Sequence, residues 1–319
     1  MEAPELIERI VAADRWALAR AITYVENDTP AGRAVLTGLY PRTGHAQTIG
    51  VTGSVGVGKS TLLNALAREQ RVRGRSVGIV AVDPSSPFSR GAILGDRIRM
   101  QELTSDGGVF LRSMAARGNL GGLSESATGV VDVLDAAGYD VVMLETVGAG
   151  QDEVEVATAT QTTVLVTAPA SGDEVQAMKA GLMEIAQVVV VNKADIAGAD
   201  TALHQLRSLL SLAPPRAWTP PVLTTVAPSG EGVAELADAI DRHQEHLRDS
   251  SHAEEARREL ARAQIVAVAR ASLHREALVT AEREGILDEL TKEVAQRRQD
   301  PRAAAEALLK AVHEHWGRA

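Results

Sequence analysis

One short segment of the chain combines glycines, a lysine and a serine in the order that phosphate binding requires. Residues 53–60 read GSVGVGKS, follow an aliphatic run and precede a helical pattern, TLLNALAREQ. Glycines let the backbone turn tightly, so that amides and the N-terminus of the following helix point at phosphate oxygens. Lys59 is then expected to reach the β- and γ-phosphates, and the Ser60 hydroxyl to bind Mg²⁺. Residues Gly53–Thr61 therefore predict a site for a nucleoside triphosphate.

A second motif indicates which base the site accepts. The segment Asn192-Lys193-Ala194-Asp195 follows the aliphatic run VVVVN. A carboxylate at Asp195 can accept hydrogen bonds from guanine N1–H and from the exocyclic amine, whereas adenine has no N1 proton and would leave the charge unpaired. Residues Val226-Ala227-Pro228 end the last aliphatic run, where a backbone amide is expected to meet the guanine oxygen. Together these residues predict guanine nucleotide.

Three carboxylates are candidates for the magnesium region. Glu145 ends the run DVVMLE at a position where Asp is usual, Asp83 ends SVGIVAVD, and Asp96 lies in LGDR. Mg²⁺ keeps several waters and takes few protein ligands, so some of the three carboxylates are expected to act through water. Gly148, three residues beyond Glu145, is placed for its amide to sense the γ-phosphate.

The residues after Glu145 predict slow hydrolysis. A Ras-like site has a water-positioning glutamine directly after the motif glycine, but this chain has Ala149 there and Gln151 two residues on. The transferring phosphoryl group is usually stabilised by an arginine as well. Three arginines are candidates that the sequence does not rank: Arg90, Arg112 and Arg117. We therefore expect hydrolysis to need help from a partner.

The elements that must position these residues are visible as seven aliphatic runs bounded by Gly, Pro or polar residues. Runs this apolar fit strands buried on both faces of a mostly parallel sheet, with helices between them. The runs are QTIGVTG (47–53), SVGIVAVD (76–83), GVFLRS (108–113), DVVMLE (140–145), TTVLVTA (162–168), QVVVVN (187–192) and PVLTTVA (221–227). The prediction is an α/β fold of the P-loop NTPase type, with a mostly parallel central sheet flanked by helices.

The ends of the chain predict helices. Residues 5–26 have helical spacing, and 27–46 are expected to be a loop-rich approach because of their prolines and glycines. Residues 233–284 contain neither Gly nor Pro and predict long amphipathic helices, broken near Gly285 and Pro301. The predicted organisation is an N-terminal helical segment (1–44), a GTPase domain (45–240) and a C-terminal helical arm (241–319). The arm's apolar stripe must fold back or meet another chain.

Composition narrows the classes of function. The chain of 319 residues has 33 basic and 42 acidic residues and a net charge of −9, which argues against a nucleic-acid or anionic-membrane binder. The absence of cysteine excludes disulfides, thiolate zinc sites and a cysteine nucleophile. No secretory signal and no stretch of ~18 apolar residues is visible, so we expect a cytoplasmic protein without a membrane span.

These residues together resemble the MeaB/ArgK family of P-loop GTPases, relatives of the methylmalonic aciduria type A protein. Beyond the phosphate loop, the segments that carry the resemblance are VDPSSPFSRGAILGDRIRM (82–100), FLRSMAARGNLGGLS (110–124), ETVGAGQDE (145–153) and PASGDEVQAMKAGLMEIAQVVVVNKAD (169–195). The resemblance implies a GTPase chaperone of an adenosylcobalamin-dependent methylmalonyl-CoA mutase, which gates cofactor loading and protects or reactivates the mutase. It also implies bound GTP or GDP with Mg²⁺, and a homodimer formed through the C-terminal helices.

The resemblance assigns roles to further residues. It places the family's mobile segment at Gly172–Gln176, with Lys179 moving toward the nucleotide when the partner binds. With Lys179, the residues implied in catalysis are Lys59, Glu145 and Asp96. The implied magnesium region is Ser60, Asp83, Asp96 and Glu145. The chain departs from the family at Val55, where Pro is usual, and at Val226, where Ser is usual.

Other functions remain open at this point. One is an accessory nucleotidase or kinase of lysine/arginine/ornithine transport, against which Asp195 argues because it favours guanine. Another is a metallochaperone GTPase, although the close histidine pairs are only His243/His246 and His313/His315. A third is a scaffold whose nucleotide is structural.

Overall fold

The computed structural model describes residues 2–84, 103, 105–116, 122–146, 152–169, 180–212, 214, 216–249 and 253–317. Within these ranges one seven-stranded sheet forms, and all of its strand pairs are parallel. The strands are β1 Gln47–Thr52, β2 Val77–Pro84, β3 Val109–Ala116, β4 Val141–Glu145, β5 Thr162–Thr167, β6 Val188–Asn192 and β7 Val222–Thr225. Each predicted aliphatic run overlaps one of them, with β2 and β3 extending one and three residues beyond their runs, and the predicted α/β fold is confirmed.

The strand order is β3-β2-β4-β1-β5-β6-β7. Strand β1, which leads into the phosphate loop, therefore lies between β4 and β5 near the middle of the sheet. Val51 of β1 is in register with Glu145 of β4, and Asn192 of β6 is in register with Thr225 of β7. Since all strands are parallel, these chain segments end at the same edge, which we call the carboxyl edge.

The helices flank this sheet and connect its strands. They are α1 Ala3–Val11, α2 Arg15–Glu26, α3 Pro30–Leu39, α4 Lys59–Val72, α5 Gly122–Ala136, α6 Asp152–Ala159, α7 Ala180–Ile185, α8 Ala199–Ser211, α9 Val233–Asp249, α10 Ala253–Arg283, α11 Ile286–Ala295 and α12 Pro301–Trp316. A short 3₁₀ turn, Tyr40–Arg42, follows α3. None of the helices in these ranges is both long and apolar enough to cross a lipid bilayer.

Both faces of the sheet are buried, which explains the continuous aliphatic runs. On one face, Ile49 and Val51 of β1 pack in a cluster with side chains of α4 and α9. On the other face, Val142 and Leu144 of β4 pack in a cluster with α1, α2, α3 and α5. A smaller cluster joins β5, β6 and β7 to α7 and α8. The core is aliphatic, as a chain with 3% aromatic residues requires.

The loop-rich approach predicted for residues 27–46 is wrong, because half of this segment is α3 and three more residues form the 3₁₀ turn. Pro30 is at the first turn of the helix, where a missing N–H costs nothing, and the Thr29 hydroxyl accepts from the Gly32 amide as an N-cap. A Cβ at Gly32 would lie 2.4 Å from the Tyr24 carbonyl oxygen of α2. Proline and glycine therefore serve the helix start and its close packing on α2.

The chain divides into two compact units, Met1–Gln264 and Ile265–Ala319. In the first, α9 packs on the sheet through Leu236 and Ile240. In the second, Ala281 and Val312 form the centre of a small core. The breaks predicted near Gly285 and Pro301 are both present. Helix α11 begins directly after Gly285, and α12 begins at Pro301. The domain boundaries at 44/45 and 240/241 stay predictions.

Candidate nucleotide-binding site

The phosphate loop leaves β1 at the carboxyl edge and closes at the N-terminus of α4. Gly53 and Gly58 have φ values of +139° and +95°, a region that residues with a Cβ rarely adopt. A Cβ at Gly53 would lie 2.0 Å from the Val166 carbonyl oxygen, and one at Gly58 would lie 2.5 Å from Asn192 Nδ2. The glycines therefore allow the loop to press against the ends of β5 and β6. Val55, the departure from the family pattern, is exposed at the loop.

Lys59 lies inside the phosphate loop. Its Nζ donates to the carbonyl oxygens of Gly53 at 2.7 Å and of Ser54 at 3.0 Å, and the residue is only 6% exposed. A buried ammonium is stable only when acceptors surround it, and the loop carbonyls provide them. The charge is thus held at the centre of the loop, where phosphate oxygens would bind.

Ser60, at the start of α4, forms a hydrogen bond with Glu145, at the end of β4. The Ser60 hydroxyl donates to Glu145 Oε1 at 2.6 Å, and Glu145 is only 4% exposed. Burial of a carboxylate is costly unless it is hydrogen-bonded or faces a cation. A hydroxyl and a carboxylate oxygen side by side are also the ligand chemistry that Mg²⁺ prefers. The two residues therefore fit the predicted metal region.

The guanine motif is bonded to the phosphate loop. Asn192 Nδ2 donates to the Val57 carbonyl at 2.9 Å, and its Oδ1 accepts from Thr225 Oγ1 at 3.0 Å and from the Ala227 amide at 3.2 Å. Lys193 has φ +57°, and its Nζ donates to the Gly56 carbonyl at 2.7 Å. One asparagine thus holds the phosphate loop, β6 and the end of β7 in fixed relation.

Asp195 lies in the turn between β6 and α8, and it is exposed. The turn is fixed by the Ala194 amide, which donates to the Thr225 carbonyl at 3.0 Å. An exposed carboxylate on a fixed turn is open to the base that we expect it to bind. Nearby, the Ala227 amide has Asn192 as its acceptor, and Pro228 has no N–H to donate. The amide contact predicted for Val226-Ala227-Pro228 stays a prediction.

Sequence reasoning missed two threonine contacts that brace this edge. Thr146 Oγ1 donates to Thr52 Oγ1 at 3.2 Å, and the Thr146 amide donates to the Val51 carbonyl at 3.2 Å. They join the end of β4 to the start of the phosphate loop. Thr225 supports Asn192 in the same way, as described above. The available signal was a threonine at the end of a strand, which is too common to be specific.

Several predicted residues lie outside the described part of the chain, and their roles stay predictions. They are Arg90, Asp96, Arg117, Gly148, Ala149, Gln151, Gly172–Gln176 and Lys179. Asp83 lies near the carboxyl end of β2, opposite Ala115 of β3, so its backbone is at the correct edge. Arg112 is engaged elsewhere, because its Nη2 donates to Glu26 Oε2 at 2.6 Å and to Thr23 Oγ1 at 3.2 Å. Its side chain fastens α2 to β3.

Comparison with protein families identifies which GTPases share this arrangement. The model of the family described as methylmalonyl Co-A mutase-associated GTPase MeaB matches residues 18–282. The chain belongs to this family.

Individual relatives agree with the family assignment. A predicted GTPase of Pyrococcus abyssi is 46% identical over 97% of this chain and 96% of its own length. The mitochondrial methylmalonic aciduria type A homolog of Mus musculus is 34% identical over 75% of this chain and 62% of its own length. The solved structure of a LAO/AO transport system kinase is 28% identical, with a TM-score of 0.71, and covers 98% of this chain and 97% of that one. This MeaB-family protein is therefore a GTPase that binds GTP and GDP and hydrolyses GTP.

Proposed function

We propose that this MeaB-family GTPase is a chaperone of an adenosylcobalamin-dependent methylmalonyl-CoA mutase. It gates loading of the cofactor and protects or reactivates the mutase. The observation that carries the proposal is the match to the mutase-associated GTPase family over residues 18–282. The likeness to a relative named for methylmalonic aciduria supports it.

The site supports the role of a switch. Lys59 at the centre of the loop neutralises phosphate charge, and Ser60 and Glu145 would hold Mg²⁺ together with Asp83 and Asp96. Mg²⁺ bound there supplies positive charge to the phosphate oxygens. With Ala149 at the usual glutamine position, hydrolysis is slow until the mutase binds and Lys179 completes the site. The nucleotide state then reports whether the mutase is engaged.

A second candidate is a nucleotide-dependent transport accessory, which the likeness to the LAO/AO transport system kinase favours. The guanine motif argues against it where the substrate is ATP, since Asp195 is placed to accept from guanine donors. Competition by ATP against labelled GDP separates the two candidates. Displacement by ATP at the concentration at which GTP displaces would favour the kinase and reject the switch.

We further infer that the protein is a cytoplasmic homodimer. The second compact unit exposes apolar side chains along α10, among them Ile265, Leu273 and Val279. A single copy leaves them in water, which favours association with a second copy. Light scattering after size exclusion tests the inference, and a monomeric mass at micromolar concentration would refute it.

The partner is tested by capture from a native extract. The tagged chain is loaded with GDP in one sample and with a non-hydrolysable GTP analogue in another. Lys59→Ala serves as the unloaded control, and Lys310→Ala, an exposed lysine of α12, serves as the matched control. We expect the wild-type and Lys310→Ala chains to capture an adenosylcobalamin-dependent mutase. The amount of mutase recovered should differ between the GDP sample and the GTP-analogue sample. Equal recovery in all samples, or no mutase in any, would reject the proposal.

A further inference from the structure

The outer face of α2 exposes a large aromatic side chain between two guanidinium groups. Trp16 is 53% exposed, although the inner face of the same helix is buried. The Arg9 and Arg20 guanidinium carbons each lie 5.2 Å from the Trp16 ring centroid. Arg20 also lies 5.3 Å from the Tyr24 ring centroid. We call these four residues, Arg9, Trp16, Arg20 and Tyr24, the Trp16 face.

Each member of the Trp16 face is held in place. Asp14 caps α2 by accepting from the Trp16 and Ala17 amides, and it also accepts from Arg9 Nε at 2.8 Å. Arg20 Nε donates to the Tyr24 hydroxyl at 2.8 Å. Because these contacts already restrict the long side chains of the Trp16 face, these side chains lose little further conformational entropy when a partner binds.

The charge of the Trp16 face is not fully balanced. Arg9 pairs with Asp14, but Arg20 pairs with no carboxylate of the described residues and has a tyrosine hydroxyl as its acceptor. A guanidinium that stacks on aromatic rings still offers N–H groups at its edge, and these match a carboxylate. In a chain of net charge −9, such a local cation is suited to orient an acidic segment of a partner.

Helix α2 is also fastened to β3, one of the two outermost strands of the sheet in the described residues. Arg15 Nη1 donates to the Gly107 carbonyl at 2.9 Å and Nη2 to the Val109 carbonyl at 2.7 Å. Near the other end of the helix, Arg112 of β3 bonds Glu26. A protein that binds the outer face of α2 therefore binds a helix that is rigidly attached to the sheet carrying the nucleotide loops.

We propose that the Trp16 face is a docking surface for the mutase, and that the mutase presents there a carboxylate beside an apolar side chain. This inference rests on the proposed function, because it names the surface through which that partner is held. Trp, Tyr and Arg are the residues that carry most binding energy in protein interfaces, and here they are adjacent and ordered before binding.

The test measures binding of the purified mutase holoenzyme from the same organism, loaded with adenosylcobalamin, by biolayer interferometry. The immobilised full chain carries GDP or the non-hydrolysable GTP analogue. We expect Trp16→Ala and Arg20→Gln each to weaken binding by about tenfold. Leu212→Ala is the matched apolar control, since Leu212 is 82% exposed on another part of the first unit. Arg68→Gln is the arginine control, since Arg68 is an exposed arginine of α4 in the same unit. Both controls should bind as the wild type does.

Three further measurements separate docking from a structural effect. Binding by the wild type should weaken as salt rises from 50 to about 300 mM, and Arg20→Gln should lose part of that dependence. GDP affinity and melting temperature should not change in any variant. If Trp16→Ala has a lower melting temperature than the wild type, the binding of Arg20→Gln to the mutase alone decides whether the Trp16 face is the docking surface. Wild-type affinity in both variants would overturn the docking surface and leave the proposed function intact. Absence of wild-type binding in both nucleotide states would overturn the proposed function and this inference with it.

Discussion

The carboxyl edge of the sheet, where the parallel strands end, and the amino edge, where they begin, both carry charged and polar side chains, but these side chains have different roles. At the carboxyl edge, Lys59 and Asn192 donate to backbone carbonyls of the phosphate loop, while Asp195 stays exposed. At the opposite, amino edge, charged side chains are bonded mainly to one another. Asp241 of α9 accepts from Arg75 Nη1 at 2.7 Å and from Arg73 Nη1 at 3.1 Å. One edge orders the phosphate loop through Lys59 and Asn192, and the other fastens helices to the sheet.

The amino edge shows the structural use of a buried carboxylate most plainly at Asp135. This residue of α5 accepts from the amides of Gly44, His45 and Ala46 at 2.5, 3.1 and 2.9 Å. Three amides on one carboxylate fix the chain where the N-terminal helices join β1. The comparison teaches that charge and burial alone do not mark the functional edge. The functional edge is marked instead by a loop backbone that side chains hold in place beside an exposed carboxylate, Asp195.

The largest expected effect is on nucleotide binding at the carboxyl edge. Lys59→Ala removes the cation at the centre of the loop and should weaken GTP and GDP binding by about 10²–10³-fold, as loss of a preorganised donor to an anion does. Titration with a fluorescent guanine nucleotide measures it, with Lys310→Ala as control. Unchanged affinity would remove Lys59 from the phosphate site.

The next effect is on base selectivity. Asp195→Asn replaces the carboxylate acceptor and should lower the preference for GTP over ATP by about 100-fold, because guanine loses charge-assisted hydrogen bonds. Competition titrations with both nucleotides measure the ratio. Asp200→Asn, in the first turn of α8, is the matched control. A ratio equal to that of the wild type would contradict the role of Asp195.

At the amino edge the expected effect is on stability. Burial alone raises the pKa of Asp241, but hydrogen bonding and charge from Arg75, with Gln47 and Arg73, outweigh it and lower the pKa below 3.8. The ionised Asp241 carboxylate, paired with Arg75, therefore stabilises the fold above about pH 4, and this stabilisation is lost as pH falls through the lowered pKa. Asp241→Asn should lower the free energy of unfolding by about 2 kcal/mol at pH 7.5, measured by urea denaturation.

The control for this variant lies on the surface of the second unit. Glu306→Gln breaks the exposed pair with Arg302 and should cost about 0.5 kcal/mol or less. GTP affinity of Asp241→Asn should equal that of the wild type. A large loss of GTP affinity would break the comparison between the two edges.

The last effect, similar in size to that of Asp241→Asn, concerns pH. His243 of α9 is buried against Trp218, and its Nδ1 lies 2.8 Å from Thr162 Oγ1. Burial, with a smaller contribution from the charge of His246, lowers the pKa of His243 from 6.5 to about 4. The unfolded chain therefore binds a proton below pH 6.5 that the folded chain does not. The contribution of neutral, buried His243 to the free energy of unfolding is therefore complete above pH 6.5 and is lost as pH falls toward 4.

Denaturation at two pH values measures this contribution. Between pH 7.5 and pH 5 it should fall by about 2 kcal/mol. His243→Gln should lack that part of the pH dependence, whereas His204→Gln, on α8, should keep it. Identical pH profiles for the wild type and His243→Gln would show that His243 titrates normally in the folded protein.

Local patterns were sufficient for most of the elements. The seven strands follow from aliphatic runs, and the helix breaks at Gly285 and Pro301 follow from residues with restricted or unusual backbone preference. Residues 27–46 were misread for a physical reason. Pro30 and Gly32 are loop signals in isolation, but a helix also tolerates Pro in its first turn and needs Gly where another backbone lies 2.4 Å from a would-be Cβ.

By itself, the sequence determined the phosphate loop, the guanine motif and the strands that carry them, because short-range spacing and backbone preference specify all three. Only the tertiary structure decided which side chains meet. The strand order brings Glu145 to Ser60 and Asn192 to Val57, although 85 and 135 residues separate these pairs along the chain. It also assigned Arg112 to Glu26 rather than leaving it as one of three equivalent arginines. Such contacts depend on how the strands and helices pack together, and no local pattern contains that information.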